Sequence, residues 1–183
     1  DEGVDDHAPL LGGGLRAEAR HLQVQEASPA VIQAVLDGGF APHVFDVARM
    51  VETMVSSVAE EALGTMTCSF RGNEINLAPP WERITFHDAL RRYGQLDLDG
   101  FPTAERLRPE LERRGIEVAP TAGFGKLVDE AMSHYVEPNL IQPTFLLDYP
   151  VELSPLAKRK PGSPHLVERF EAFMGGFEAG NAY

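Results

Sequence analysis

The sequence predicts an α+β fold: a mainly antiparallel sheet with flanking helices. Three observations point to it. Val47, Met50, Val51, Met54, Val55, Val58, Ala59 and Ala62 recur at three- and four-residue steps, the period of an amphipathic helix. Residues 144–149, Thr-Phe-Leu-Leu-Asp-Tyr, form a nearly continuous apolar run, as expected of a strand buried on both faces. The remaining strand-like and helix-like segments follow one another without regular βαβ alternation, and no internal repeat is visible.

Residues 1–20 hold Gly12-Gly13-Gly14 and scattered charges without a period, which reads as a poorly ordered leader ahead of a domain over 21–183. Residues 21–25 alternate like a short strand. Ser28-Pro29 supplies an N-cap with proline at the first helical position, so a helix is expected over 29–37, closed by Gly38-Gly39. The long helix then runs from Asp46 to Gly64. Residues 66–77 read as a hairpin, because Gly72-Asn73 is a turn dipeptide between two β-prone runs. Thr85 caps a short helix over 86–93, with Asp88 in the capping-box position. Further helices are expected over 103–114, from Thr103 to Gly115, and over 123–135, where Leu127, Ala131 and Tyr135 share a stripe beside Val128 and Met132. Pro150 ends the apolar strand. Ser163-Pro164 gives a weak helix signal over 163–168, and 169–183, with alternating aromatic and small residues, reads as strand.

Composition narrows the partners. A 183-residue chain with 43% hydrophobic and 24% charged residues is long enough for one domain with a core. A net charge of -12 and a pI near 4.9 argue against binding nucleic acid by charge alone. Lys158-Arg159-Lys160, between Pro155 and Pro161, reads as a solvated loop. The single cysteine, Cys68, leaves no internal disulfide and no multi-cysteine zinc site, which fits a cytoplasmic protein. No apolar run approaches the roughly 20 residues that span a bilayer, and no membrane association is expected. The six histidines are scattered without ligand spacing.

Five ordered blocks carry a family resemblance: Leu77-Ala-Pro-Pro-Trp81, Ile141-Gln-Pro-Thr-Phe145, Asp148-Tyr-Pro-Val-Glu-Leu-Ser-Pro-Leu-Ala-Lys158, Glu168-Arg-Phe-Glu171 and Gly175-Gly-Phe-Glu-Ala-Gly-Asn-Ala-Tyr183. Together they resemble the catalytic domain of class II lysyl-tRNA synthetases, over residues 50–183. The resemblance implies a class II synthetase core, a homodimer, and L-lysine, ATP and lysine tRNA as substrates. It also implies magnesium, with Glu171 and Glu178 as the carboxylates that hold it against the ATP phosphates, and Asn181 and Tyr183 as residues that bond and wall the bound lysine. Without the family, two glutamates seven apart are most often solvated and a tyrosine among glycines is most often packing.

Strand parity makes the glutamate pair a specific expectation. An offset of seven in an ideal strand sends Glu171 and Glu178 to opposite faces, where one ion cannot reach both. A helix would align them but would hold Gly175-Gly176 in its middle, at a cost of roughly 2 kcal/mol. A bulged strand, irregular at the glycines, is therefore expected to bring both carboxylates to one cavity, and their repulsion to raise at least one pKa.

The front of the chain departs from the family. Leu22-Gln-Val-Gln-Glu-Ala-Ser-Pro29, Gly38-Gly-Phe40 and Val44-Phe-Asp-Val-Ala-Arg49 are similar to the run into the second signature motif, but the Phe-Arg-x-Glu loop with its phosphate-gripping arginine does not follow Arg49. Phe70-Arg71-Gly72-Asn73-Glu74 reads as a structural turn and not as a substitute. The third motif is expected beyond Tyr183, outside this sequence. The expectation is thus a partial lysine–tRNA ligase catalytic domain, inactive as the chain stands and with no catalytic residue assigned. The alternative is a non-catalytic or repurposed domain that binds lysine or a partner.

Overall fold

The computed structural model describes residues 44–183. The leader, strand and helix expected before residue 44 lie outside the described residues.

Helix α1 (Val44–Leu63) starts two residues earlier than its periodicity suggests. Strands β1 (Thr67–Phe70) and β2 (Asn73–Asn76) form the expected hairpin, but the turn is Arg71-Gly72 and Asn73 already belongs to β2. Both turn residues have positive φ, 50° and 81°, which is the two-residue geometry that matches strand twist. Strand β3 (Glu82–Thr85) leads directly into α2 (Phe86–Gly94). The Thr85 hydroxyl accepts from the Asp88 N–H at 3.1 Å, so the expected N-cap forms; the Asp88 carboxylate turns back to the same hydroxyl, which donates to it at 2.7 Å, and not to the Thr85 N–H of a full capping box. Helices α3 (Ala104–Arg113) and α4 (Phe124–Tyr135) follow, and β4 (Thr144–Pro150) returns through the middle of the sheet.

Strands β5 (Arg159–Lys160), β6 (Ser163–Met174) and β7 (Phe177–Ala182) complete the fold. Three expectations fail here. Residues 163–168 are strand and not helix: β4 pairs with them on one edge and β5 on the other, and Val167 alternates into the core, so tertiary pairing overrides a weak local signal. Nor is 169–183 one bulged strand. The chain reverses at Gly175-Gly176, both at positive φ (65° and 78°), and β7 runs back antiparallel along β6. The triplet Lys158-Arg159-Lys160 is not a free loop either, since Lys158 pairs with Glu168 at 2.9 Å and Lys160 with Asp148 at 2.6 Å.

The sheet order is β3-β4-β6-β5, with β7 also on β6. All pairings are antiparallel except β3 with β4, a parallel pair joined by the α2–α4 crossover. Helices α2–α4 cover one face through Leu90, Leu107, Leu111, Leu127 and Val128, packed with Leu146, Tyr149, Val167 and Phe173. Helix α1 covers the other through Ala48, against Phe145, Leu147, Phe170 and Ala172. This two-sided cover explains why β4 is apolar through Phe145, Leu146, Leu147 and Tyr149. Its alternation breaks at Asp148, which takes φ 58° where the β4–β6 register shifts; Leu147 faces α1 and Tyr149 the opposite side.

Among the described residues no helix is long and apolar enough to cross a membrane.

Candidate functional site: a carboxylate cluster on the β6–β7 hairpin

Residues 167, 169, 171 and 173 of β6 share a face by strand alternation. Val167 and Phe173 enter the core, and between them Arg169 and Glu171 form a polar interruption. The parity break at Asp148 puts the Tyr149 ring on the same face, where its hydroxyl donates to Glu171 Oε2 at 2.7 Å. Glu171 Oε1 accepts from Arg169 and, at 3.3 Å, from the Asn181 side-chain amide. Asn181 stands directly opposite Glu171 in the β6–β7 register, and its Oδ1 accepts from Arg169 Nε at 3.2 Å. The Arg169 guanidinium also lies over the Tyr149 ring, 4.6 Å from its centre.

The hairpin changes how the two glutamates meet. Glu171 is on β6 and Glu178 on β7, so their separation of seven spans a turn and strand parity within one strand no longer applies. The ladder does carry an irregularity, but at Ala172/Phe173, where β7 holds one extra residue; Phe173 pairs with Glu178. Glu178 is exposed, and its charge acts on both Glu171 and Tyr149. Tyr183 lies one residue past β7, is 78% exposed, and lines a cleft of about 220 Å³ with Leu153, Ser154, Leu156 and Arg169.

Burial pushes the Glu171 carboxyl above its ordinary pKa; the bonds from Tyr149 and Arg169 oppose the rise, and the charges of Glu178 and Glu137 add to it. Burial, with Glu171 beside it, also raises the Tyr149 hydroxyl well above its ordinary value, so it remains a donor. Three carboxylates thus act around one guanidinium. Such a face gains most from an incoming cation.

Sequence reasoning named Glu171, Glu178, Asn181 and Tyr183 and passed over Arg169 and Tyr149, which bond to Glu171. Arg169 was visible as the residue two before Glu171. Tyr149 was not, because an unbroken β4 sends its side chain to the α1 side.

A family model described as tRNA synthetases class II (D, K and N) matches residues 40–183. The chain belongs to this class II synthetase family. It is 48% identical over 138 residues to a lysine–tRNA ligase of Dehalococcoides mccartyi, an alignment covering 75% of this chain and 28% of that protein. It is 47% identical over 134 residues to that of Moorella thermoacetica, covering 73% and 27%. With the Nostoc punctiforme ligase it shares 44% over 139 residues, covering 75% and 25%. The chain therefore spans little more than a quarter of the length of these relatives. The matched segment begins close to the start of α1 and includes the whole β6–β7 hairpin.

Proposed function

We propose that this chain contributes part of a site that activates L-lysine with ATP, for transfer to the 3′ end of lysine tRNA by the whole protein. The observation that carries the reading is the meeting of the Asn181 amide and the Glu171 carboxylate on one acidic sheet face, inside the segment that resembles lysine–tRNA ligases. The same resemblance supports a cytoplasmic homodimer.

In the activation step a lysine carboxylate oxygen bonds to the α-phosphorus of ATP as the bridging P–O bond breaks, and pyrophosphate leaves with the electron pair. No covalent bond to the protein is needed. Asn181 offers an amide that bonds the amino acid, Tyr183 walls the cleft beside it, and the excess of carboxylates favours a dibasic, cationic ligand over a neutral one.

The donor set fits magnesium of a particular kind. Glu171 Oε1 accepts two hydrogen bonds and Oε2 one, leaving one of about four lone-pair sites. Among the described residues no group of three or more His, Cys, Asp or Glu is placed to hold a metal. Exposed Glu178 with that remaining site on Glu171 suits an ion whose shell is completed by phosphate oxygens and water, the usual manner of Mg²⁺. When bound, the ion would offset phosphate charge.

Calorimetric titration with L-lysine tests the reading. Binding is expected, and Asn181→Ala should weaken it about tenfold, the worth of one hydrogen bond to a charged ligand. No binding to the unaltered chain would overturn it.

A further inference from the structure

Arg169 sits two residues before Glu171 on β6, and its donors reach three chain segments. Nε donates to Asn181 Oδ1 on β7 at 3.2 Å, and one terminal nitrogen donates to Glu171 Oε1 on β6. The other donates to the Ser154 hydroxyl and, at 3.3 Å, to the Leu153 carbonyl, both in the turn after β4. Four of its five N–H groups are thereby engaged. Its side chain is only 16% exposed, and its flat face is closed by the Tyr149 ring.

A guanidinium with its donors so occupied has little left for a ligand. What it does have is a rigid fork whose geometry fixes two neighbours at once: Oε1 of Glu171 and Oδ1 of Asn181. Binding at Oδ1 also decides which end of the Asn181 amide faces outward, since the carbonyl points to Arg169 and the NH₂ to Glu171.

We infer that Arg169 is a positioning residue, holding Glu171 and Asn181 in the one relative orientation that the ligand meets. The ligand is taken from the lysine-activation reading, whereas the brace stands on the geometry alone. A lysine at this position would keep the charge and the stem but not the planar fork, so it would not replace the function.

The test uses the 183-residue chain with Arg169→Lys, Arg169→Gln, Glu171→Gln and the Arg169→Lys/Glu171→Gln double variant. Two readouts are followed: the NMR signals of the Asn181 side-chain amide, and L-lysine affinity. In Arg169→Lys the Asn181 amide protons should shift towards solvent-exposed positions and exchange about tenfold faster, the worth of one such bond. The backbone signals of α2–α4 should stay in place, which separates lost positioning from lost fold. L-Lysine affinity should fall about ten- to a hundredfold, and the double variant should lose little more than either single one, because Arg169 acts through Glu171. An unchanged Asn181 signal in Arg169→Lys would overturn the inference, as would additive affinity losses, which mean a direct ligand contact. If the unaltered chain binds no L-lysine, the activation reading fails, and the Asn181 signal still decides whether Arg169 is the brace.

Discussion

Two glutamate–arginine pairs lie on opposite sides of the sheet. Glu52 of α1 pairs with Arg83 of β3 at 3.2 Å and accepts the Trp81 backbone N–H at 2.5 Å, within the cluster of Ala48, Trp81 and Phe145. Arg83 also donates to the Trp81 carbonyl and lies over the Phe145 ring. One carboxylate meets one guanidinium, and both Glu52 partners, Arg83 and the Trp81 N–H, are fixed in the protein. The Glu171–Arg169 pair is similarly buried, yet Glu178 and Glu137 leave it with an excess of negative charge, and a cleft opens beside it. The same two residue types thus serve two ends. Balanced charge fastens elements together; unbalanced charge beside a cleft is, on the proposed reading, what a cationic ligand would offset.

The largest effect expected is an absence. Lysine-dependent ATP–pyrophosphate exchange by this 183-residue chain should not rise above a no-enzyme control, because α1 runs unbroken across Arg49 and Met50, where the family's phosphate-gripping loop is expected. Electrostatic clamping of this kind is worth orders of magnitude in rate. Clear exchange would mean that another cation has taken the role and that the acidic cluster is not short of one.

Next comes the fastening pair. Glu52→Ala should lower unfolding stability by about 3 kcal/mol, the low end for breaking a buried pair because Arg83 is a third exposed. L-Lysine affinity of the folded protein should not change. Urea denaturation beside a lysine titration checks both, and a loss of affinity without a loss of stability would dissolve the distinction between the two pairs.

The smallest effects are in pH. Glu110, held by Arg113 and Arg114, has its carboxyl lowered to about 2. Its contribution to stability is therefore complete above the ordinary carboxylate range and is lost as pH falls towards 2. Glu171 is raised, so the sign reverses: its contribution is complete below the ordinary range and is lost as pH rises through the raised value. The melting-temperature difference between the unaltered chain and Glu110→Gln should shrink on acidification, and that for Glu171→Gln should move the other way. Parallel slopes would contradict the assignment of Glu171 as the strained carboxylate.

Much of the fold was legible because single elements declared themselves: the 3.6-residue period of α1, the N-cap Thr85 of α2, the nearly continuous apolar run of β4. What sequence reading missed was set by distant pairing. Residues 163–168 are strand because β4 and β5 flank them, and β3 holds just one buried apolar residue, Ile84, to reveal it. The site was half legible. The family blocks marked Glu171, Glu178, Asn181 and Tyr183, but a pair of glycines suits a bulge and a turn equally, and only the pairing of β7 with β6 decides for the turn. Tyr149 was hidden by a single positive φ at Asp148.

On the proposed reading, the acidic face of the β6–β7 hairpin is where the amino acid binds. Titrating L-lysine into the isotopically labelled chain tests it most directly. Saturable shifts are expected at Arg169, Glu171, Asn181 and Tyr183, with Glu52, Trp81 and Arg83 unmoved. Shifts centred on the Glu52 side of the sheet, or none at saturating L-lysine, would contradict it.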